Sequence, residues 1–150
     1  MSSHRAIEHL IVSYAELVDA GDFAGVGALL ASAAFIGSGG QVTGGDAIEA
    51  MFRDTLVVYD DGTPRTKHVT TNIAVDVDEE TGTATSRAYF TVLQAVPGLP
   101  LQPIVAGRYH DEFSRRDRRW IFTSRRVHVD LTGDVSHHLR PSGSARLDGH

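Results

Sequence analysis

The hydrophobic period of this chain changes once, near Thr66, and that change restricts its fold more than any other feature. Before it, apolar residues recur at three- and four-residue steps; after it, they alternate. Ile7, Leu10, Ile11, Tyr14, Leu17 and Val18 form a stripe that predicts an amphipathic helix from about His4 to Ala20, ended by Gly21. Asp22 is placed to cap a shorter helix carrying Phe23, Val26, Leu29 and Leu30. Ala33 to Ile36 reads as a short strand, and GSGGQVTGG as a loop. Asp46, with Glu49 three residues on, has the spacing of a capping box and opens a third helix with Ile48, Met51 and Phe52 inward.

Past the change of period, His68 to Val77 alternates. Val69, Thr71, Ile73, Val75 and Val77 share one face; His68, Thr70, Asn72 and Ala74 share the other. EETG turns the chain and Ala84 to Ala95 returns as a second strand. VPGLPLQP reads as a proline-interrupted connection, followed by a hairpin of Ile104–Ser114 and Trp120–Leu131. Helices first and long antiparallel strands afterwards indicate an α+β fold, with helices packed on one face of a curved sheet. The expected organisation is one domain over residues 1–139 and a flexible tail over 140–150, which has little to bury. A chain of 150 residues is long enough for this, burying roughly 68–70% of its unfolded surface.

Charge and composition exclude several classes. A formal charge of −5 argues against a general nucleic-acid binder. The basic run Arg115, Arg116, Arg118 and Arg119 is broken by Asp117 where a hairpin should turn. The absence of cysteine removes disulfide and thiolate chemistry and points to a reducing, cytoplasmic setting. The start, MSSHRAIEHL, is too charged for a signal peptide, and no segment approaches the ~18 apolar residues of a membrane span. His137-His138 and His110-x-Glu112 lack metal-site spacing, and the glycine-rich loop lacks the Gly-Lys-Ser/Thr ending of a phosphate cradle. Neither a metal site nor a phosphate cradle is expected.

The segments YAELVDAGDF, GGDAI, TKHVTTN, AGRYHDEF and RRWIFTSRRVHVDL, in that order, resemble the SnoaL-like branch of the nuclear-transport-factor-2-like superfamily. The resemblance covers about residues 4 to 134 and implies a cone-shaped α+β barrel, three helices wrapped by a bent sheet, with a deep pocket at the wide end. Members of that superfamily include dehydratases, isomerases and polyketide cyclases, alongside members with no catalysis, so the fold leaves the reaction open.

Against that background a few residues stand out. Asp19 closes the first helix, where the helix dipole disfavours a carboxylate by roughly 0.3–1 kcal/mol. It either solvates the turn or faces the interior; the resemblance to scytalone and bile-acid dehydratases implies the second, paired with a histidine. His68 lies on the more polar strand face, which alternation alone would send to water; the resemblance implies that it lines the pocket as the catalytic histidine. Tyr14 is either core or a hydrogen-bond donor to substrate. Asn72 is a candidate, with Tyr14, to hold an enolate oxygen; Phe90, Leu101 and Ile104 are either walls of the pocket or plain core. Arg125 is a pocket cation, one half of a buried ion pair with Asp111, or a residue meeting solvent at the sheet edge. The remaining histidines are expected at the surface.

The reading is a cofactor-free lyase or isomerase on a hydrophobic cyclic substrate, with His68 as base held by Asp19. A polyketide cyclase and a non-catalytic ligand-binding domain are the alternatives. If His68 points inward, the Val69-to-Val77 stripe faces out, and an apolar stripe of that length predicts a homodimer.

Overall fold

The computed structural model describes residues 1–141. Helix α1 (Ser3–Asp19) begins at Ser2, whose hydroxyl accepts a hydrogen bond from the Arg5 N–H, and it buries Ile7, Ile11, Tyr14 and Val18 on one face. Gly21 (φ 73°) turns the chain in the left-handed region, and Asp22 caps α2 (Phe23–Leu29) by accepting from the Gly25 N–H at 2.8 Å.

Strands β1 (Ala34–Gly37) and β2 (Gly40–Thr43) form a small hairpin, so the glycine-rich segment holds a strand that the loop reading missed. Helix α3 (Gly45–Thr55) also starts before the expected capping box: Gly44 is its N-cap, no side chain caps it, and Asp46 lies in its first turn. The cause is tertiary. A Cβ on Gly27 would stand 2.6 Å from the Gly45 carbonyl, and one on Gly45 2.5 Å from that of Gly27, so α2 and α3 meet backbone to backbone.

Four long strands follow: β3 (Thr66–Asp78), β4 (Thr83–Val96), β5 (Leu99–Arg116) and β6 (Arg119–Thr132). The sheet runs β2-β1-β6-β5-β4-β3, antiparallel throughout except for β1 beside β6. The fold is therefore the expected α+β architecture, three helices against one curved sheet. Strand β5 begins five residues earlier than expected. Pro100 and Pro103 are tolerated because that stretch pairs with β4 alone. The core lies between the helices and the inner sheet face, built from Ile11, Tyr14, Phe23, Phe35, Phe52, Phe90 and Phe122 among others.

One irregularity changes the reading of β3. Between Thr71 and Ala74 its register slips against β4, where Thr71 faces Tyr89 and Ala74 faces Arg87. Three steps on β3 match two on β4, and Asn72 absorbs the extra residue at φ 54°, which asparagine tolerates better than most. A bulge of this kind exchanges the two faces. His68 and Thr66 point inward before it; Ile73, Val75 and Val77 pack on the core after it. The continuous outward stripe from Val69 to Val77 therefore does not exist: of its apolar members, only Val69 is an exposed large hydrophobic.

Beyond β6 the chain crosses to the end of α3. Arg140, the first residue of the expected tail, is held there by its N–H bonding the Thr55 carbonyl at 2.8 Å. The part of that tail over 142–150 lies outside the described residues. Among the described residues, no helix is long and apolar enough to cross a membrane.

Candidate functional site

Asp19, the last residue of α1, meets the start of β3. Its carboxylate accepts from the Thr66 hydroxyl at 2.8 Å, the His68 N–H at 2.7 Å and His68 Nδ1 at 2.6 Å. Alternation brings Thr66 and His68 to the same inner side of β3, so one carboxylate reads both. Burial works to raise the Asp19 pKa, but the bonds and charge of His68, with Thr66, outweigh it and hold the carboxyl below the ordinary range. The unfavourable helix-end position is thus offset by three donors.

This contact orients the imidazole. A carboxylate only accepts, so neutral His68 carries its proton on Nδ1 and leaves the lone pair on Nε2. Nε2 is buried with no hydrogen-bond partner among the described residues. The whole His68 side chain is inaccessible, although the residue retains 8% exposure through its backbone. A groove of about 610 Å³ between α1 and β3, bordered by Val12, Glu16, Asp19, Lys67 and Thr70, therefore reaches the backbone of His68 and not its imidazole ring.

Tyr14 is fully buried, its ring 6.4 Å from that of His68 and 5.9 Å from Tyr109. Burial pushes both tyrosine hydroxyls well up, so both stay protonated; Arg125 acts against this shift in each. Arg125 is fully buried. Cross-strand register sets Ser86, Asp111, Arg125 and Phe35 in one inward row, and Arg125 forks onto Asp111 with two bonds of 2.9 Å. Its guanidinium lies 3.8 Å from the centre of the Tyr109 ring, 4.3 Å from Tyr14 and 5.1 Å from Phe122. Burial works against the charge, but Asp111 and the rings more than compensate, and the Arg125 pKa is raised. Nη1 of Arg125 and the Tyr109 hydroxyl have no partner among the described residues.

The structure thus brings together Asp19, His68, Tyr14 and Arg125, with Phe90 stacked on Tyr109 at 4.5 Å. Arg125 satisfies the ion-pair alternative, and only Nη1 remains for a ligand. Ile104 is fully buried core. Two candidates fall elsewhere. Asn72 is exposed at the bulge, where the extra residue takes it off the His68 face. Leu101 is 71% exposed, because the early start of β5 carries it along the sheet rim.

Sequence reasoning missed Tyr109 and His138. The inward alternation of Gly107, Tyr109, Asp111 and Phe113 on β5 was the available signal for Tyr109. His138, expected at the surface, is fully buried, and no periodicity marks it.

Three helices against a curved, mostly antiparallel sheet make a cystatin-like or nuclear-transport-factor-2-like α+β fold. Within it, the chain belongs to the SnoaL-like family, whose domain model matches residues 1–126. That family includes dehydratase and cyclase members. Many solved structures share the fold, among them the following three. A protein of unknown function from Nostoc punctiforme with a cystatin-like fold superposes with a TM-score of 0.74 at 18% identity, over 90% of this chain and 98% of that one. A candidate scytalone dehydratase from Novosphingobium aromaticivorans gives 0.70 at 24% identity, over 87% and 86%. LinA gives 0.70 at 20%, over 93% and 94%. No curated protein matches the sequence.

Proposed function

We propose that the protein is a cofactor-free lyase or isomerase acting on a hydrophobic cyclic small molecule, with His68 as general base and Asp19 as the group that orients it. The observation that carries this reading is the asymmetry of His68: Nδ1 bound to a carboxylate, Nε2 buried without a partner among the described residues. Leaving a buried polar atom unsatisfied costs about 1–3 kcal/mol, a position with no structural return.

For a β-hydroxy cyclic ketone the step balances as follows. Nε2 takes the proton from the carbon beside the carbonyl, and the released electron pair moves onto the carbonyl oxygen. The resulting enolate collapses and expels the hydroxyl, which leaves as water with the proton from Nε2. Asp19 stabilises the intervening imidazolium. The Tyr14 hydroxyl and Arg125 Nη1 are the donors for the enolate oxygen.

β-Hydroxytetralone, which loses water to give naphthol, tests this by absorbance. His68→Ala should lower turnover by about 10²–10⁴-fold, and Asp19→Asn by a similar order, with the fold retained. Normal turnover in both variants would replace this reading with a ligand-binding domain.

Assembly as a homodimer needs a different basis from the apolar stripe. The outer sheet face carries an acidic row through Asp76, Thr85, Glu112 and Ser124 beside a basic row through Arg87, His110 and Arg126. A two-fold axis between the rows sets each against its opposite in the second copy, next to exposed Val69, Tyr89 and Leu131.

A further inference from the structure

Three polar atoms on the inner side of the sheet are buried with no hydrogen-bond partner among the described residues: His68 Nε2, Arg125 Nη1 and the Tyr109 hydroxyl. All three side chains gather around the Tyr14 ring. The first two atoms have a use in the proton transfer and at the enolate oxygen. The third has none.

The Tyr109 ring is held firmly. Phe90 stacks on it at 4.5 Å, the Arg125 guanidinium lies 3.8 Å from its centre, and Tyr14 meets it edge-on at 5.9 Å. On the inner face the ladder places Phe90 one step to one side of Tyr109 and Arg125 one step to the other. A phenylalanine would make every one of these ring contacts and leave no hydroxyl to desolvate. In a residue 1% exposed, the hydroxyl adds nothing to the core that the ring does not.

Its position is remote from the base. The inward row of His68 runs through Val92 and Val105, the next through Phe90 and Gly107, and the next through Ala88 and Tyr109. Tyr109 therefore stands two inward steps from His68 along the sheet. Burial keeps its hydroxyl protonated, with Tyr14, Asp111 and Asp19 adding to the upward shift and Arg125 opposing it. The hydroxyl donates, so its partner is an acceptor. Charge decides which kind. Arg125 already has Asp111 as its counter-charge, and Asp19 brings a second carboxylate to the cluster. A carboxylate or phosphate on the ligand would be buried with no cation left to match it. A neutral oxygen, in a phenol, ether or ketone, meets no such cost.

We propose that Tyr109 is a specificity-determining residue, its hydroxyl donating to a second, neutral oxygen on the substrate at the end remote from the carbon that His68 deprotonates. The assignment rests on the proposed reading of His68 and narrows the substrate class to cyclic ketones oxygenated at both ends. A site built this way rejects the analogue that lacks the second oxygen, because the donor is then left buried and unpaired.

Fluorescence titration with naphthol, and with naphthalenediols whose second hydroxyl stands on the far ring, reads the contact without turnover. Wild type should bind at least one diol about tenfold more tightly than naphthol, the scale of one hydrogen bond. Tyr109→Phe should bring that ratio to within about twofold of unity. On β-hydroxytetralones with and without a hydroxyl on the aromatic ring, Tyr109→Phe should lower kcat/KM about tenfold more for the hydroxylated compound. The urea midpoint of Tyr109→Phe should equal or exceed that of wild type, because an unsatisfied group has been removed. A lower midpoint means that the hydroxyl bonds within the protein and overturns the proposal. So does an unchanged diol ratio in Tyr109→Phe, or a wild-type protein that binds no diol better than naphthol. If the ratio is lost in Tyr109→Phe while His68→Ala turns over normally, the Tyr109 contact stands and the proposed function falls; if the ratio is unchanged while His68→Ala abolishes turnover, only the contact falls.

Discussion

At the scale of single residues, the site is built from charges placed against their local preferences and then compensated. Asp19 ends a helix, where its carboxylate meets the wrong end of the dipole, and is retained because His68 and Thr66 donate to it. Its lowered pKa fixes a sign. The stability it contributes is full above the unfolded carboxyl value near 3.9 and is lost only as pH falls through its lower folded value. Asp19 therefore stays ionised through mild acidification. Arg125 shows the opposite dependence on a partner. With Asp111 removed, a fully buried guanidinium loses its counter-charge, and breaking such a pair costs about 3–5 kcal/mol. Asp111→Ala should show that loss in urea unfolding, and a change below about 1 kcal/mol would mean that water reaches Arg125.

At the scale of elements, two pieces of chain decide how the site is presented. The first is the β3 bulge. Asn72→Gly should be close to neutral, whereas Asn72→Val puts a branched side chain in the left-handed region and should cost roughly 1–2 kcal/mol. An unchanged urea midpoint in the valine variant would show that β3 can pair without the bulge. The second is the segment Gly133–Arg140, which crosses to the end of α3 and buries His138. Burial pushes the His138 imidazole down to about 3, with His68 adding to the shift and Asp19 opposing it. An unfolded histidine takes up its proton near 6.5, so the stability linked to His138 is full above about pH 6.5 and falls by up to about 1.4 kcal/mol per pH unit below it. His138→Leu should make the urea midpoint less sensitive to pH between 7 and 5, and an unchanged sensitivity would mean that His138 is protonated where it lies.

At the scale of the whole molecule, the outer sheet face sets the question of assembly. The acidic and basic rows are self-complementary only across a two-fold axis, and a dimer of that kind responds to charge in a particular way. Cancelling the charge of the acidic row with Glu112→Arg should give a monomer in light scattering at tens of micromolar. Adding Arg126→Glu should restore the dimer. A wild-type monomer under the same conditions would leave this face without a partner.

The sequence by itself determined the succession of elements, because periodicity, caps and turn residues are local. The helical stripe of α1, Asp22 as a cap, and the alternation of Ala84 to Val96 all read directly from neighbouring residues. It also marked Asp19 as misplaced and His68 as worth explaining, although family resemblance was needed to turn His68 inward. Only the tertiary structure decided the rest. Gly27 and Gly45 set the start of α3 through a contact between helices, and the slip at Asn72 exists only relative to β4. The burial of His138 depends on where a strap of chain lands after β6 has ended. Each of these depends on residues far apart in the chain, and no local pattern records which distant backbone a residue will meet.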